Sequence, residues 1–210
     1  IIRYQIPGWD DLTLQQKEYI YHLSEAAKYG RDILWEQNFK YNLQIRKVLE
    51  NILTNYEGDN GCNNYQDFLI YAKRVFFSNG IHHHYAEDKI IPTCPKEYFQ
   101  SLMEAVGDGD LCEKLLPVIY EPDLYSQRKY TGTEKDLLLA SSVNFYDGVT
   151  KAQAQKFYDK MRDPKDPRPI SYGLNSKLVK KNGKITEEVY KIDGLYGPAI
   201  AKIVENLEAA

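Results

Sequence analysis

Residues 174–192, LNSKLVKKNGKITEEVYKI, carry the strongest strand signal in this sequence. Two runs that contain β-branched and apolar residues flank Asn182-Gly183, and Asn-Gly is the preferred pair for a two-residue turn between antiparallel strands. The stretch therefore predicts a β-hairpin from Asn175 to Ile192. Because a two-stranded hairpin is only marginally stable alone, it should belong to a small mixed sheet. Its candidate partners are the N-terminal segment 1–9, residues 170–174, or strands in a part of the protein that is missing here.

The rest of the sequence is dominated by helical periodicity, in which apolar residues recur every three or four positions. The helices are expected at residues 13–30, 41–58, 64–80, 95–107, 111–117, 150–162 and 198–210. Thr13 and Thr150 are expected as N-caps, and Gly30 and Gly80 as the residues that end their helices. Residues 121–134 are expected to form an exposed loop. The predicted fold class is therefore α+β and predominantly helical, with the C-terminal hairpin in a small mixed sheet.

Three prolines within the segment 163–169, DPKDPRP, mark the best internal boundary. We therefore expect a mainly helical N-terminal part over residues 1–166. A second part over residues 167–210 should consist of the hairpin and a helix packing on it.

Composition limits the classes of function. The chain has 210 residues, of which 43% are hydrophobic and 27% charged, as in ordinary globular proteins. A formal net charge of -3 argues against a nucleic-acid partner, and no apolar run approaches the roughly 20 residues that span a bilayer. The surplus of 18 tyrosines over 7 phenylalanines fits a protein with half-wet internal surfaces, such as a cleft between lobes. Because the chain starts with Ile1, we expect a processed product or a fragment.

The segment 77–92, FSNGIHHHYAEDKIIP, contains three of the four histidines in the chain. His82 and His84 would point to one face of a strand and could supply two metal ligands. A catalytic zinc needs three protein ligands, however, and the sequence has no H-E-x-x-H motif and no cysteine pair. The sequence also lacks the G-x-S-x-G motif that is typical of a nucleophilic serine. Judged from its residues alone, the segment is a peptide-binding loop, a weak metal site, or a loop whose histidines are only polar residues.

The run 75–99, VFFSNGIHHHYAEDKIIPTCPKEYF, resembles the N-terminal region of the dipeptidyl peptidase III family of zinc exopeptidases, particularly its bacterial branch. The features that carry the resemblance are Phe77-Ser78-Asn79, Gly80, Tyr85, Asp88-Lys89 and Pro95-Lys96. The resemblance extends through residues 6–38, 141–150 and 170–210, and so covers essentially the whole chain.

This resemblance implies a two-lobed metallopeptidase that releases dipeptides from the N-termini of oligopeptides. The family binds its zinc through an H-E-x-x-G-H motif and a later glutamate, neither of which this chain contains. The resemblance therefore implies that these residues are the N-terminal, non-catalytic part that shapes the substrate cleft. Zinc and all catalytic residues would belong to a missing C-terminal region. The compartment stays open between cytoplasm and periplasm.

By the same resemblance, the substrate-binding residues are expected to be Ser78, Asn79, Gly80, Ile81, His82 and Tyr85. Gly80 would allow the backbone to approach a ligand closely, and Asn79 and the histidines would offer donors and acceptors to a peptide. Which histidine contacts substrate stays open. The alternatives are a self-contained peptide-binding module without catalysis and, more remotely, a small metal-binding protein that uses the three histidines.

Overall fold

The computed structural model describes residues 5–168 and 172–210, and in these ranges the fold is α+β and predominantly helical, as predicted. The described helices are α1 Leu14–Asn38, α2 Asn42–Asn55, α3 Asn63–Ser78, α4 Lys96–Ala105, α5 Cys112–Tyr120, α6 Lys151–Asp159 and α7 Gly197–Ala209. The described strands are β1 Tyr146–Asp147, β2 Ser176–Lys181 and β3 Lys184–Val189. None of these helices combines the length and the apolar character that crossing a bilayer requires.

The described chain divides into two compact units, of which the larger is Leu34–Glu188. Its main core lies among α2, α3, α4 and α5, where the apolar stripes read from the sequence face one another. The largest fully buried side chains of this core include Phe39, Ile45, Leu49, Ile52, Phe68, Tyr71, Phe99 and Leu102. Burying one such side chain stabilises the fold by about 1.5–3 kcal/mol.

Two helices continue through residues that were expected to end them. Helix α1 passes through Gly30 to Asn38, because the apolar sequence continues beyond the glycine and Trp35 is buried. Helix α5 passes through Pro117 to Tyr120, where Val118 and Ile119 are buried. In α5, burial outweighs the loss of one helical hydrogen bond at the proline.

The left-handed residue that terminates α3 lies one position earlier than expected, in a Schellman motif. Asn79, and not Gly80, takes the left-handed conformation after Ser78, with φ 52°. The Asn79 N–H donates to the Phe76 carbonyl at 3.3 Å, and the Gly80 N–H donates to the Val75 carbonyl at 3.1 Å. These two bonds satisfy carbonyls that the last turn would otherwise leave free. The motif therefore fixes the direction in which the histidine-rich segment leaves the helix.

The predicted β-hairpin is confirmed, and it belongs to a three-stranded sheet with the order β1-β2-β3. Asn182 and Gly183 have φ values of 50° and 78°, as a type I′ turn requires at both central positions. Strand β1 runs parallel to β2, with Tyr146 opposite Leu178. Of the other candidate partner strands, residues 5–9 and 172–174 form no strand, while residues 1–4, 170 and 171 lie outside the described residues.

A second small core supports this sheet, formed by Val149, Ala154 and Leu178. Helix α6 begins at the expected N-cap: the Gln153 N–H donates to Thr150 Oγ1 at 3.2 Å and the Thr150 N–H donates to Gln153 Oε1 at 3.1 Å. These reciprocal bonds make a capping box and confirm the prediction.

The smaller unit combines residues 5–33 with residues 189–210. The expected N-cap of α1 is present there, since the Gln16 N–H donates to Thr13 Oγ1 at 3.3 Å. Within this unit, His22 Nδ1 lies 3.5 Å from Asn206 Oδ1, and Ala26 and Gly197 are buried. The boundary expected at residues 166–167 from the prolines stays a prediction.

Candidate functional site

The histidine loop, defined here as residues 79–90, leaves α3 against the side chain of Asn42. A Cβ atom on Gly80, whose φ is 151°, would lie 2.1 Å from Asn42 Nδ2, so only glycine fits this position. The next residue, Ile81, donates its N–H to Asn42 Oδ1 at 3.1 Å and accepts from the Ile90 N–H at 2.7 Å. The close approach that glycine allows is therefore made to the protein's own Asn42.

Backbone hydrogen bonds within the loop stabilise its tip. The His83 N–H donates to the Asp88 carbonyl at 2.7 Å, and the Glu87 N–H donates to the His83 carbonyl at 3.0 Å. His83 Nδ1 also accepts from the Ala86 N–H at 3.0 Å and the Tyr85 N–H at 3.3 Å. In the neutral imidazole the proton must then be on His83 Nε2, which makes this nitrogen a hydrogen-bond donor.

Arg128 holds the loop from the inner side. Its guanidinium donates to Glu87 in bidentate geometry, at 2.8 and 2.9 Å, and to the His84 carbonyl at 3.2 Å. It also donates to Asn38 Oδ1 at 3.2 Å, and Asn38 donates in turn to the Asn79 carbonyl at 3.1 Å. Bidentate pairs of this kind fix orientation as well as distance. The Arg128 bonds hold the pKa of Glu87 below its usual value.

The backbone of residues 126–128 pairs with the same loop. The Lys89 N–H donates to the Ser126 carbonyl at 3.0 Å, and the Arg128 N–H donates to the Glu87 carbonyl at 2.9 Å. Within the expected loop 121–134, Ser126 is exposed, while Gln127 and Arg128 are half-buried because this part of the backbone is bonded to the histidine loop.

The side chain of Lys89 connects the base of the loop to the C-terminal end of α5 by hydrogen bonds. Its ammonium group donates to the Val118 carbonyl at 3.0 Å and to the carbonyls of Glu121 and Leu124. A cation is favourable here because carbonyl groups are free at a helix C-terminus. Burial lowers the pKa of Lys89 from its ordinary value.

His82 and Ile81 point into the protein. His82 is 2% exposed and lies between the ring of Phe39, with centroids 5.4 Å apart, and the Tyr125 carbonyl, to which Nε2–H donates at 2.8 Å. Its Nδ1 is buried with no hydrogen-bond partner among the described residues. Burial lowers the pKa of His82 to about 4, so the ring is neutral at pH 7.

The outward side of the segment is an aromatic shelf formed by Phe77, His83, His84 and Tyr85. Phe77 is 75% exposed and Tyr85 is 84% exposed, which is unusual for large rings. The His84 ring lies 5.1 Å from Phe77, 4.9 Å from His83 and 4.3 Å from Tyr85, measured between centroids. Ser78 Oγ, at 3.4 Å from His84 Nδ1, adds a hydrogen bond below the shelf.

A groove of about 370 Å³ runs beside the shelf. Its lining residues are Lys73, Arg74, Phe77, Ser78, His83, His84 and Ile90. The groove thus combines two cationic side chains with aromatic and imidazole rings, and it is open to a ligand from solvent.

The structure divides the six expected binding residues into three groups. Ser78 lines the groove and Tyr85 belongs to the shelf, Asn79 and Gly80 shape the backbone, and Ile81 and His82 are buried beneath the loop. A role in substrate binding stays a prediction for all six. Lys73, Arg74 and Arg128 were not among the residues expected from the sequence. The first two could have been found, because they precede Phe77 by one helical turn. Arg128 could not, because it is 41 residues from Glu87.

Within residues 5–168 and 172–210, no group of three or more His, Cys, Asp or Glu side chains is placed to hold a metal ion. The zinc site that the resemblance implies would be formed by residues outside this chain, and it stays a prediction. No known family model matches this sequence, and no curated protein matches it significantly.

Proposed function

We propose that this chain is the N-terminal part of a zinc-dependent dipeptidyl peptidase of the dipeptidyl peptidase III family, in which it shapes the cleft that holds an oligopeptide substrate. The observation that carries the proposal is the asymmetry of the histidine loop. Its inner side is bonded to Asn42, Arg128 and the Tyr125 carbonyl, whereas its outer side leaves the aromatic shelf open to solvent.

A loop of this kind is suited to binding peptides. Because its backbone is already fixed by hydrogen bonds, little conformational entropy is lost when a ligand is bound. Exposed aromatic rings offer a large apolar contact area with few rotatable bonds, while the imidazoles can bond to peptide groups. Exposed apolar patches rimmed by polar residues are typical of binding sites.

The downstream catalytic region is the partner that this proposal requires. It would supply the zinc, the residues that activate water, and the opposite wall of the cleft. In this chain the proposal assigns no catalytic residue. Its part is to orient the peptide, so that the scissile bond is held in one position relative to the catalytic groups.

A peptide-binding module without catalysis is the second candidate, and the same geometry favours it. The shelf and the groove are formed entirely by residues of the larger unit, so a peptide could bind to this chain alone. The two candidates differ in what a longer polypeptide does, since only the peptidase gains hydrolysis when the downstream region is present.

The experiment compares hydrolysis of dipeptidyl-naphthylamides by this chain and by the natural polypeptide extended beyond Ala210. We expect no turnover by the former and zinc-dependent turnover by the latter. In the extended protein, Tyr85→Ala should raise KM, whereas Tyr29→Ala, which removes an exposed tyrosine of the smaller unit, should leave KM unchanged. An extended protein that binds peptides but hydrolyses none of them would refute the peptidase and leave the binding module.

A further inference from the structure

The groove beside the histidine loop is basic, although the chain as a whole carries a net charge of -3. Lys73 and Arg74 line it and are exposed, and none of its lining residues is an aspartate or a glutamate. In the described part of the chain neither cation forms an ion pair, whereas Arg46, Arg128 and Lys181 each have a carboxylate partner. The groove therefore carries two positive charges and no carboxylate among its lining residues.

From this we propose that the groove recognises a carboxylate on the bound peptide, so that the preferred ligand is an extended peptide with an acidic side chain close to a large apolar one. This inference rests on the proposed function of the loop and specifies the class of peptide. Arg74 can hold a carboxylate in bidentate geometry, and Lys73 adds a second positive charge. The Nε2–H of His83, set by the bonds to its Nδ1, is a further donor on the same groove.

The distance between the cations and Phe77 determines how far apart the acidic and apolar side chains of the peptide should be. Lys73 and Arg74 precede Phe77 by four and three residues on α3, so their side chains are neighbours about 5–6 Å apart on the helix surface. An extended peptide advances about 3.3 Å per residue. Because successive side chains of an extended peptide point to opposite faces, the acidic and apolar side chains should be two residues apart, with the carboxylate at the cations and the apolar group against Phe77.

The test uses this 210-residue chain and two extended peptides that differ only by Glu or Gln two residues from a Phe. Dissociation constants are measured by NMR titration at low and at high salt. We expect the Glu peptide to bind about fivefold more tightly at low salt, as ion pairs at exposed sites allow, and the preference to shrink at high salt. Lys73→Gln combined with Arg74→Gln should remove the preference, while Lys165→Gln, an exposed control, should retain it.

Failure of this inference can be separated from failure of the proposed function by adding Tyr85→Ala. Equal affinities for the Glu and Gln peptides overturn the carboxylate proposal, even if Tyr85→Ala weakens both. A Glu preference that survives in Tyr85→Ala with unchanged affinity supports the groove and counts against the shelf. Absence of binding by either peptide overturns the carboxylate proposal and the binding module, whereas the peptidase is judged by turnover of the extended protein.

Discussion

Acidification should destabilise this protein through His82 more than through any exposed histidine of the loop. The ring is buried against Phe39 with its Nε2–H bonded to the Tyr125 carbonyl, so its protonation in the folded state has to occur in an apolar site. Burial lowers the pKa of His82 to about 4 from an ordinary value of 6.5. In the unfolded chain the ring is hydrated and regains the ordinary pKa.

The sign and the size follow from proton linkage. Between pH 6.5 and pH 4 the unfolded state binds a proton at His82 that the folded state does not, so acid favours unfolding. The stabilisation is complete above pH 6.5 and is lost as the pH falls towards 4. At about 1.4 kcal/mol per pH unit, the difference between the two pKa values corresponds to roughly 3 kcal/mol in the free energy of unfolding. Roughly 2 kcal/mol of this is lost by pH 5.

The assay is urea unfolding followed by circular dichroism at a series of pH values from 8 to 4.5. His82→Gln keeps a donor for the Tyr125 carbonyl without a titrating ring, and its stability should fall about 2 kcal/mol less between pH 8 and pH 5. Phe99→Leu is the control, because Phe99 is buried among Phe68, Tyr71 and Tyr120, so its loss lowers stability at every pH and leaves the surroundings of His82 in place. Parallel pH profiles for the wild type and His82→Gln would refute a buried neutral histidine.

Three further predictions concern the residues that hold the loop. Gly80→Ala should lower the free energy of unfolding by about 2–3 kcal/mol, because the new Cβ meets the Asn42 amide at 2.1 Å. Gly30→Ala is the control: it has open space around it in α1 and should raise the free energy of unfolding by about 0.5–1 kcal/mol. Equal effects of the two substitutions in denaturant unfolding would contradict this prediction. Lys89→Met should lower the free energy of unfolding by about 2 kcal/mol in the same assay, because three carbonyls lose their donor. An unchanged midpoint would show that the ammonium group does not stabilise the end of α5. Arg128→Lys loses the bidentate pair, so hydrogen exchange of the loop amides should accelerate while exchange in α2 stays slow; unaltered exchange in the loop would show that the guanidinium does not hold it.

Features that depend on a few neighbouring residues could be predicted from the sequence. The type I′ turn at Asn182-Gly183 and the capping box at Thr150 both follow from backbone conformations and bonds within four residues. The apolar stripes of α2 and α3 were equally readable, because a period of 3.6 residues is a local property.

Two helix ends expected from the sequence were wrong, because burial of residues beyond them outweighed a local preference. Gly30 and Pro117 are both ordinary helix breakers, yet each lies inside a helix that continues to buried residues, which are Trp35 in α1 and Val118 and Ile119 in α5. A glycine costs a helix only about 1 kcal/mol, and burying one large apolar side chain offsets that cost. No local pattern could show that such burial was available.

The candidate site shows the same division. By itself the sequence determined that residues 77–92 leave a helix through Asn-Gly and contain a cluster of rings, and it determined the fold class through periodicity and turn residues. Only the tertiary structure decided which rings face solvent: Asn42, Arg128 and the Tyr125 carbonyl, all distant in sequence, turn His82 inward and leave Phe77 and Tyr85 outside. The physical reason is that three adjacent histidines are chemically alike, so their roles depend on the partners that the fold brings to each of them.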